Sequence, residues 1–441
     1  MQARPSRTPT LAGGEQGTLL SEAGSALLPF FTTRDACALR LVCREFRTAV
    51  HEHPWEDART AIHGSIAAWR ACFPRARCAN LSPWHRRRVV PVGDADFVHL
   101  EGLHELRMHS CTGVTDAAFA HLRGIRVLDI SYCNQEGITD AAFAHLGGIR
   151  ALDMRGCTQE GITDAAFAHL RGIRSLDMRG CSQEGITDAA FTHLAGIHTL
   201  VMRGCFQAGI TDAAFAHLRG IRSLDMSFCN QEGITDSAFA HLTGVHTLSM
   251  GACDQGGITD AAFAHLRGIQ SLDMSGCWQD TITDAAFAHL AGIRTLNMQE
   301  CVQDGITDAA FVHLRGIHTL NLSFCSQRGI TDAAFAHLAG IHTLHMRGCD
   351  QEGITGAAFA HLRGVHTLGM QDCRQGAIND AALAHLQGIH TLCLIGCVQQ
   401  GITAAALAVF KELGGKYVIL GQERPDLADA ARALGVAHDV F

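Results

Sequence analysis

The sequence predicts an α/β solenoid, in which stacked units of one short helix and one short strand form a parallel sheet on a concave face and a helical convex face. Three observations carry this. Near-copies of residues 161–184, GITDAAFAHLRGIRSLDMRGCSQE, begin at every 24th residue from Gly113 to Gly401. A fixed period of that length belongs to a solenoid or array, not to a single core. Within the unit Leu176 and Met178 alternate with Ser175, Asp177 and Arg179, the pattern of a strand with one buried face. Upstream, Thr163 and Asp164 are helix-starting residue types, Phe167 and Leu170 stand three apart, and Gly172 falls where a helix stops on a left-handed residue.

One unit cannot fold alone. Burial of Ile162, Phe167, Leu170, Ile173, Leu176 and Met178 does not offset the entropy of ordering the whole repeat, so the units must stack. The spacing Ile173-x-x-Leu176-x-Met178-x-x-Cys181, followed by Ile-Thr-Asp, resembles the cysteine-containing class of leucine-rich repeats. The resemblance implies a leucine-rich-repeat horseshoe of about 13 repeats of 24 residues. Repeats of this class are found behind an F-box in ubiquitin-ligase substrate receptors.

Taken in order, residues 1–18 are rich in Pro, Arg, Thr and Gly and read as a disordered tail. Residues 19–60 read as a small helical domain. Leu27, Leu28, Phe30 and Phe31 precede a polar Thr-Thr-Arg-Asp break, after which Leu39, Val42, Phe46 and Ala49 recur at helical spacing. This segment resembles the second half of an F-box, whose motif falls on Asp35, Leu39, Val42, Cys43, Phe46 and Trp55. The resemblance implies that Leu27, Leu28, Pro29, Leu39, Val42, Cys43, Phe46 and Trp55 bind a Skp-family adaptor and, through it, a cullin ubiquitin ligase. Where an F-box opens with a Leu-Pro pair, this chain has Leu19-Leu20-Ser21. The other reading of the segment is a helical cap over the open end of the solenoid.

Residues 61–91, with Trp69, Cys72, Cys78, Trp84 and the run His85-Arg86-Arg87-Arg88, read as a linker and N-terminal cap. Basic runs of this length occur in nuclear-import and nucleic-acid patches, but four residues are too few to be diagnostic, and a solvated linker face is the expectation there. The repeats occupy 92–412, beginning near Val92, where Phe97, Leu100, Leu106, Met108 and Cys111 already sit in register. Residues 413–441 read as a C-terminal cap, with a last strand over 416–420 and a helix from Asp426 to Leu434.

The columns of the repeat have separate chemistries. Cysteines at 133, 157, 181 and every 24 residues to 397 stand alone in every unit but the last, which also holds Cys393, whereas zinc sites pair their ligands closely in sequence. Side chains in parallel register also point the wrong way for disulfides between neighbours. A ladder of buried thiols is expected, which suits a reducing compartment, cytoplasmic or nuclear. Histidines from His99 to His385 form a second column, read as packing on the helix flank in preference to a metal ladder. Gln135 and its equivalents are expected to bond turn backbone.

Outward strand positions differ among repeats, and variation on a rigid scaffold is where recognition sits. Asp129, Asp153, Arg155, Asp177, Arg179, Arg203 and Asp225 make the N-terminal half a chequer of charge, and these are the candidate partner-binding residues. Mutual neutralisation for solubility is the other reading. Before each strand, Arg126, Arg150, Arg174 and Arg222 give way later to His318, His342, His366 and His390.

A net charge of −8 and the lack of a long apolar run predict no nucleic-acid partner and no membrane span. There is no Gly-rich phosphate loop and no Cys-x-x-Cys, and neither cofactor nor metal is expected. The function expected from the resemblance is a non-catalytic substrate receptor of an SCF-type ubiquitin ligase that holds an unknown protein target. The alternative is an interaction scaffold without the adaptor contact.

Overall fold

The structure, a computed structural model, describes residues 26–82 and 92–441, which fall in two compact units, Met1–Arg171 and Gly172–Phe441. The tail 1–18, the Leu19-Leu20-Ser21 segment, Trp84 and the His85–Arg88 run lie outside the described residues.

The first unit opens with a single turn, Leu28–Phe30, and three helices, Thr33–Leu39, Arg44–Glu52 and Ile66–Cys72. Thr32 starts the first helix. Its hydroxyl accepts from the Asp35 N–H at 3.2 Å, and the Asp35 carboxylate accepts from the Thr32 N–H at 3.0 Å, a reciprocal capping box. The helix then breaks, because the Leu41 and Val42 amides turn back to the Ala38 and Leu39 carbonyls. A new helix starts at Arg44, with the Cys43 sulfur accepting from the Phe46 N–H at 3.5 Å. The expected single stripe through Leu39, Val42, Phe46 and Ala49 is therefore corrected: Leu39 ends one helix, Val42 lies in the turn, and the other two belong to the next helix. Apolar spacing can run on across a break that only backbone hydrogen bonding reveals.

Leu28, Ala36, Val50, Trp55, Phe73 and Ala76 form the core of this helical part. The Trp55 indole N–H donates to the Val50 carbonyl at 2.8 Å, and the ring meets Phe73 edge-on with centroids 5.6 Å apart. Strands Cys78–Asn80, Glu105–Arg107, Val127–Asp129 and Ala151–Asp153 follow, each parallel to its sequence neighbour. The first lies upstream of Val92, where the sheet was expected to begin. All three of its residues are buried, so it lacks the alternation that marks the later strands.

In the second unit, strands from Ser175–Asp177 to Ala437–Val440 pair in parallel, with the leucines in register, as in Leu176 with Leu200 and Leu200 with Leu224. Each intervening helix is one turn, such as Asp188–Phe191, whose start is set by the Thr187 hydroxyl accepting from the Ala189 N–H. Gly172 has φ 84°, and a Cβ there would meet nothing within 4 Å. Backbone handedness, not crowding, therefore selects glycine at the turn. The closing helices Ala404–Glu412 and Pro425–Leu434 are longer. Strand Tyr417–Leu420 matches the expected last strand, but the chain adds another, Ala437–Val440, that carries no Leu/Met alternation to announce it.

Ile186, Ala190, Phe191, Leu194, Leu200, Met202 and Cys205 are essentially without solvent exposure, and the same columns are buried in neighbouring repeats. Three polar ladders join the rungs. The Asp188 carboxylate accepts from both the Thr211 N–H and hydroxyl, each at 2.7 Å, and the clamp recurs from Asp212 to Thr235 and from Asp332 to Thr355. It is interrupted at Gly356, where the helix slackens into the 3-10 turn Gly356–His361 and Asn379 caps its own helix by accepting from the Ala382 N–H, and it resumes from Asp380 to Thr403. The thiol of Cys205 donates to the Met178 carbonyl at 3.1 Å, a contact repeated up the column. The Gln207 amide donates to the Cys181 carbonyl at 2.9 Å, as expected for a glutamine serving the turn backbone.

Candidate interaction surfaces

Two regions were expected to bind partners, and the structure sorts the residues of each. In the helical part, Leu28 is 2% and Trp55 1% exposed, so both belong to the interior and neither offers a free surface. Leu39 packs against the same core, and Cys43 serves as a helix cap. Outward-facing apolar side chains are instead Leu27, Phe30, Phe31, Leu41 and Val42, with Phe30 at 85%, Leu41 at 82% and Val42 at 68% exposed. Pro29, Phe30 and Phe31 line one wall of a groove that continues along His53, Pro54 and Arg107. The expected set of eight is therefore not one exposed face. Sequence spacing identified apolar residues but not which side of the small core each would take.

Asp57 anchors this part internally: its carboxylate accepts from the Thr33 N–H at 2.7 Å, the Thr33 hydroxyl at 2.9 Å and the Arg59 N–H at 2.9 Å. Burial pushes its pKa up, but these donors outweigh that and hold the carboxyl below its ordinary value.

On the strand side, the expected chequer is largely self-paired. Arg155 meets Asp153 at 2.8 Å and Arg179 meets Asp177 at 2.6 Å, each within its own rung. The aspartates also accept from the backbone two residues on: Ser131 N–H to Asp129, Arg179 N–H to Asp177 and Ser227 N–H to Asp225. Asn297 and Asn321 do the same where they replace Asp. The aspartate column is thus first a turn-forming device at the strand ends. Arg203 departs from the pattern, its guanidinium lying 4.6 Å above the Phe228 ring.

Phe228 belongs to a feature that sequence reading missed. Four positions after the middle of each strand from Glu105–Arg107 to Thr391–Cys393 the backbone is left-handed, and glycine is the commonest occupant, yet Tyr132, Phe228 and Phe324 stand there with φ between 56° and 60°. All three are exposed. Bulky side chains at such dihedrals are uncommon and cost backbone strain. Phe324 lies over Gly348, where a Cβ would come within 2.5 Å of the ring, and Arg347 stacks on it at 5.2 Å. Glycine interrupted by aromatics in this column was the available signal.

The second missed feature is a stack of imidazoles. His318, His342, His366 and His390 pile ring on ring, with centroids 4.5, 4.6 and 4.6 Å apart and planes within 12° of parallel. Their Nδ1 atoms lie 3.1–3.2 Å from the hydroxyls of Thr319, Thr343, Thr367 and Thr391. The ladder cysteines are buried and outside any disulfide, and burial pushes groups such as Cys133 and Cys229 up to about 12, so they remain protonated. Among the described residues no group of three or more His, Cys, Asp or Glu is placed to hold a metal ion, and no helix is long and apolar enough to cross a membrane.

No protein-family model matches the chain, and neither does any curated protein. Its fold recurs among solved structures. A leucine-rich-repeat protein of Leptospira interrogans superposes with a TM-score of 0.60 at 13% identity, covering 77% of this chain and 82% of that one. TLR13 in its complex with ssRNA13 gives 0.55 at 15%, covering 83% and 62%. Toll, in the glycosylated form of the Drosophila Toll–Spatzle complex, gives 0.54 at 14%, covering 76% and 51%. The chain therefore spans 51% to 62% of the length of those Toll and TLR13 chains. At such identities the likeness is one of fold, and the fold is the leucine-rich-repeat solenoid.

Proposed function

We propose that the protein is a non-catalytic adaptor with two binding surfaces. The exposed apolar side chains of the N-terminal helices dock a Skp-family adaptor of a cullin ubiquitin ligase, and the strand side of the repeats holds a protein target. The observation that carries the first half is the division of apolar residues in this small helical part. It closes a core of its own around Trp55, yet leaves Phe30, Leu41 and Val42 in water, where covering them would be favourable. Arg203, Phe228, Arg347 and Phe324 support the second half, because arginine and aromatic side chains dominate protein interfaces. The protonated thiol ladder suits a reducing compartment, cytoplasmic or nuclear.

Recovery of a Skp-family adaptor with the purified chain tests this directly. Leu41→Glu and Val42→Glu should abolish recovery while leaving the melting temperature unchanged, since both side chains already face solvent. Failure of the unaltered chain to recover any adaptor would leave the second reading, a scaffold whose helical part caps the repeats. That reading is favoured by the interior placement of Leu28 and Trp55.

A further inference from the structure

The stacked histidines sit in a longer row. The residue immediately before the strand is Arg294, then His318, His342, His366 and His390 in successive rungs, then Lys416, and each backbone N–H donates to the carbonyl of the one before it at 2.8–3.0 Å. Two more arginines, Arg315 and Arg363, occupy the turns three residues ahead of His318 and His366. Among the described residues of this unit, neither the turn column nor the pre-strand column contains a carboxylate.

We propose that this row is an acid-enabled binding strip for an acidic, carboxylate-rich polypeptide segment. The geometry supplies the reason. Rings stacked face to face cannot hydrogen-bond one another, and each Nδ1 is engaged by its neighbouring threonine, so the outer ring edge remains for an external acceptor. Protonation as pH falls through the imidazole range places like charges one ring spacing apart. Burial, together with the charges of His342, His390 and Lys416, holds His366 below its ordinary value. A row of external carboxylates relieves that repulsion, so binding and proton uptake reinforce each other.

Among the described residues, the bonds of these four imidazoles run to threonines and none to a carboxylate. The strands beside the strip face outward with Asn321, His345 and Cys393, and the helices leading into its turns carry His313, His337, His361 and His385. Asp372 is already paired with Arg347 at 2.9 Å. On the closing elements, Asp439 is held by the Tyr417 hydroxyl and Glu412 ends the helix Ala404–Glu412. A polypeptide suits the strip better than a nucleic acid, because the imidazole faces are spent on one another, whereas single strands are gripped by bases stacking on free aromatic faces. This inference stands apart from the adaptor reading, since it survives if the N-terminal helices bind nothing.

The test is fluorescence anisotropy of a labelled oligoglutamate peptide with the full chain at about pH 7.5 and about pH 5.5, either side of the imidazole range. The expected result is binding roughly tenfold or more tighter at the lower pH, weakened by salt. His342→Gln with His366→Gln should remove the pH dependence without lowering the melting temperature, and His366→Gln alone should reduce it if the pair proves unstable. Equal affinity at both pH values, or a pH dependence untouched by these substitutions, overturns the proposal. So does tighter binding of an oligonucleotide of matching charge, which would assign the strip to nucleic acid.

Discussion

Two rungs of the second unit, those of Ser175–Asp177 and Thr343–His345, have the same interior and unlike exteriors. Inside, Leu176, Met178 and Cys181 correspond to Leu344, Met346 and Cys349, all buried. Outside, Asp177 and Arg179 form an ion pair within the rung, whereas Arg347 reaches Asp372 in the following rung and lies over Phe324 from the preceding one. His345 rests over Gly369, where a Cβ would come within 2.7 Å of its ring. An interior residue touches its own counterparts above and below, so a change there disturbs two interfaces at once. An outward residue meets solvent on one side and can be exchanged for another chemistry.

The comparison yields predictions of decreasing size. Phe191→Ala and Phe335→Ala should each destabilise the fold by about 3–5 kcal/mol by opening a cavity between rungs. Chemical denaturation of the two variants measures this, and clearly unequal losses would break the claim that the interiors are equivalent. Asp188→Ala and Asp332→Ala each remove a carboxylate that holds three donors of the next rung, and should cost about 2–3 kcal/mol. Hydrogen exchange at the Thr211 and Thr355 amides would show the loss locally; unaffected protection would mean the clamps are ornamental.

Acid should separate the two rungs. Burial holds His345 below the ordinary imidazole value, so the unfolded chain binds the proton more readily than the folded one. The stability that His345 confers is present above about pH 6.5, its unfolded value, and declines as pH falls below it. Melting curves at about pH 7 and about pH 5 should therefore show an acid loss that His345→Asn diminishes. The smallest effect is expected from Arg179→Gln, below about 1 kcal/mol, because the pair with Asp177 is partly exposed and screened. If that substitution weakens target binding while stability holds, the charged rung belongs to the recognition surface.

The 24-residue period by itself determined the helix-and-strand unit, its buried columns, the glycine that ends each turn and the thiol ladder, because each is repeated locally with little freedom to vary. The glutamine contact to the turn was legible for the same reason. What only the tertiary structure decided is how copies meet. Asp188 reads as an ordinary first-turn residue until Thr211 is stacked beside it, and four histidines separated by 24 residues become one column only when the strands take their register. The N-terminal helices have no repeat to discipline them. Leu28 went inside and Phe30 outside, and Val42 fell in a turn, because those choices depend on how three short helices close around Trp55 and Phe73. Apolar spacing along the chain records which residues can be buried, and the packed partner settles which of them are.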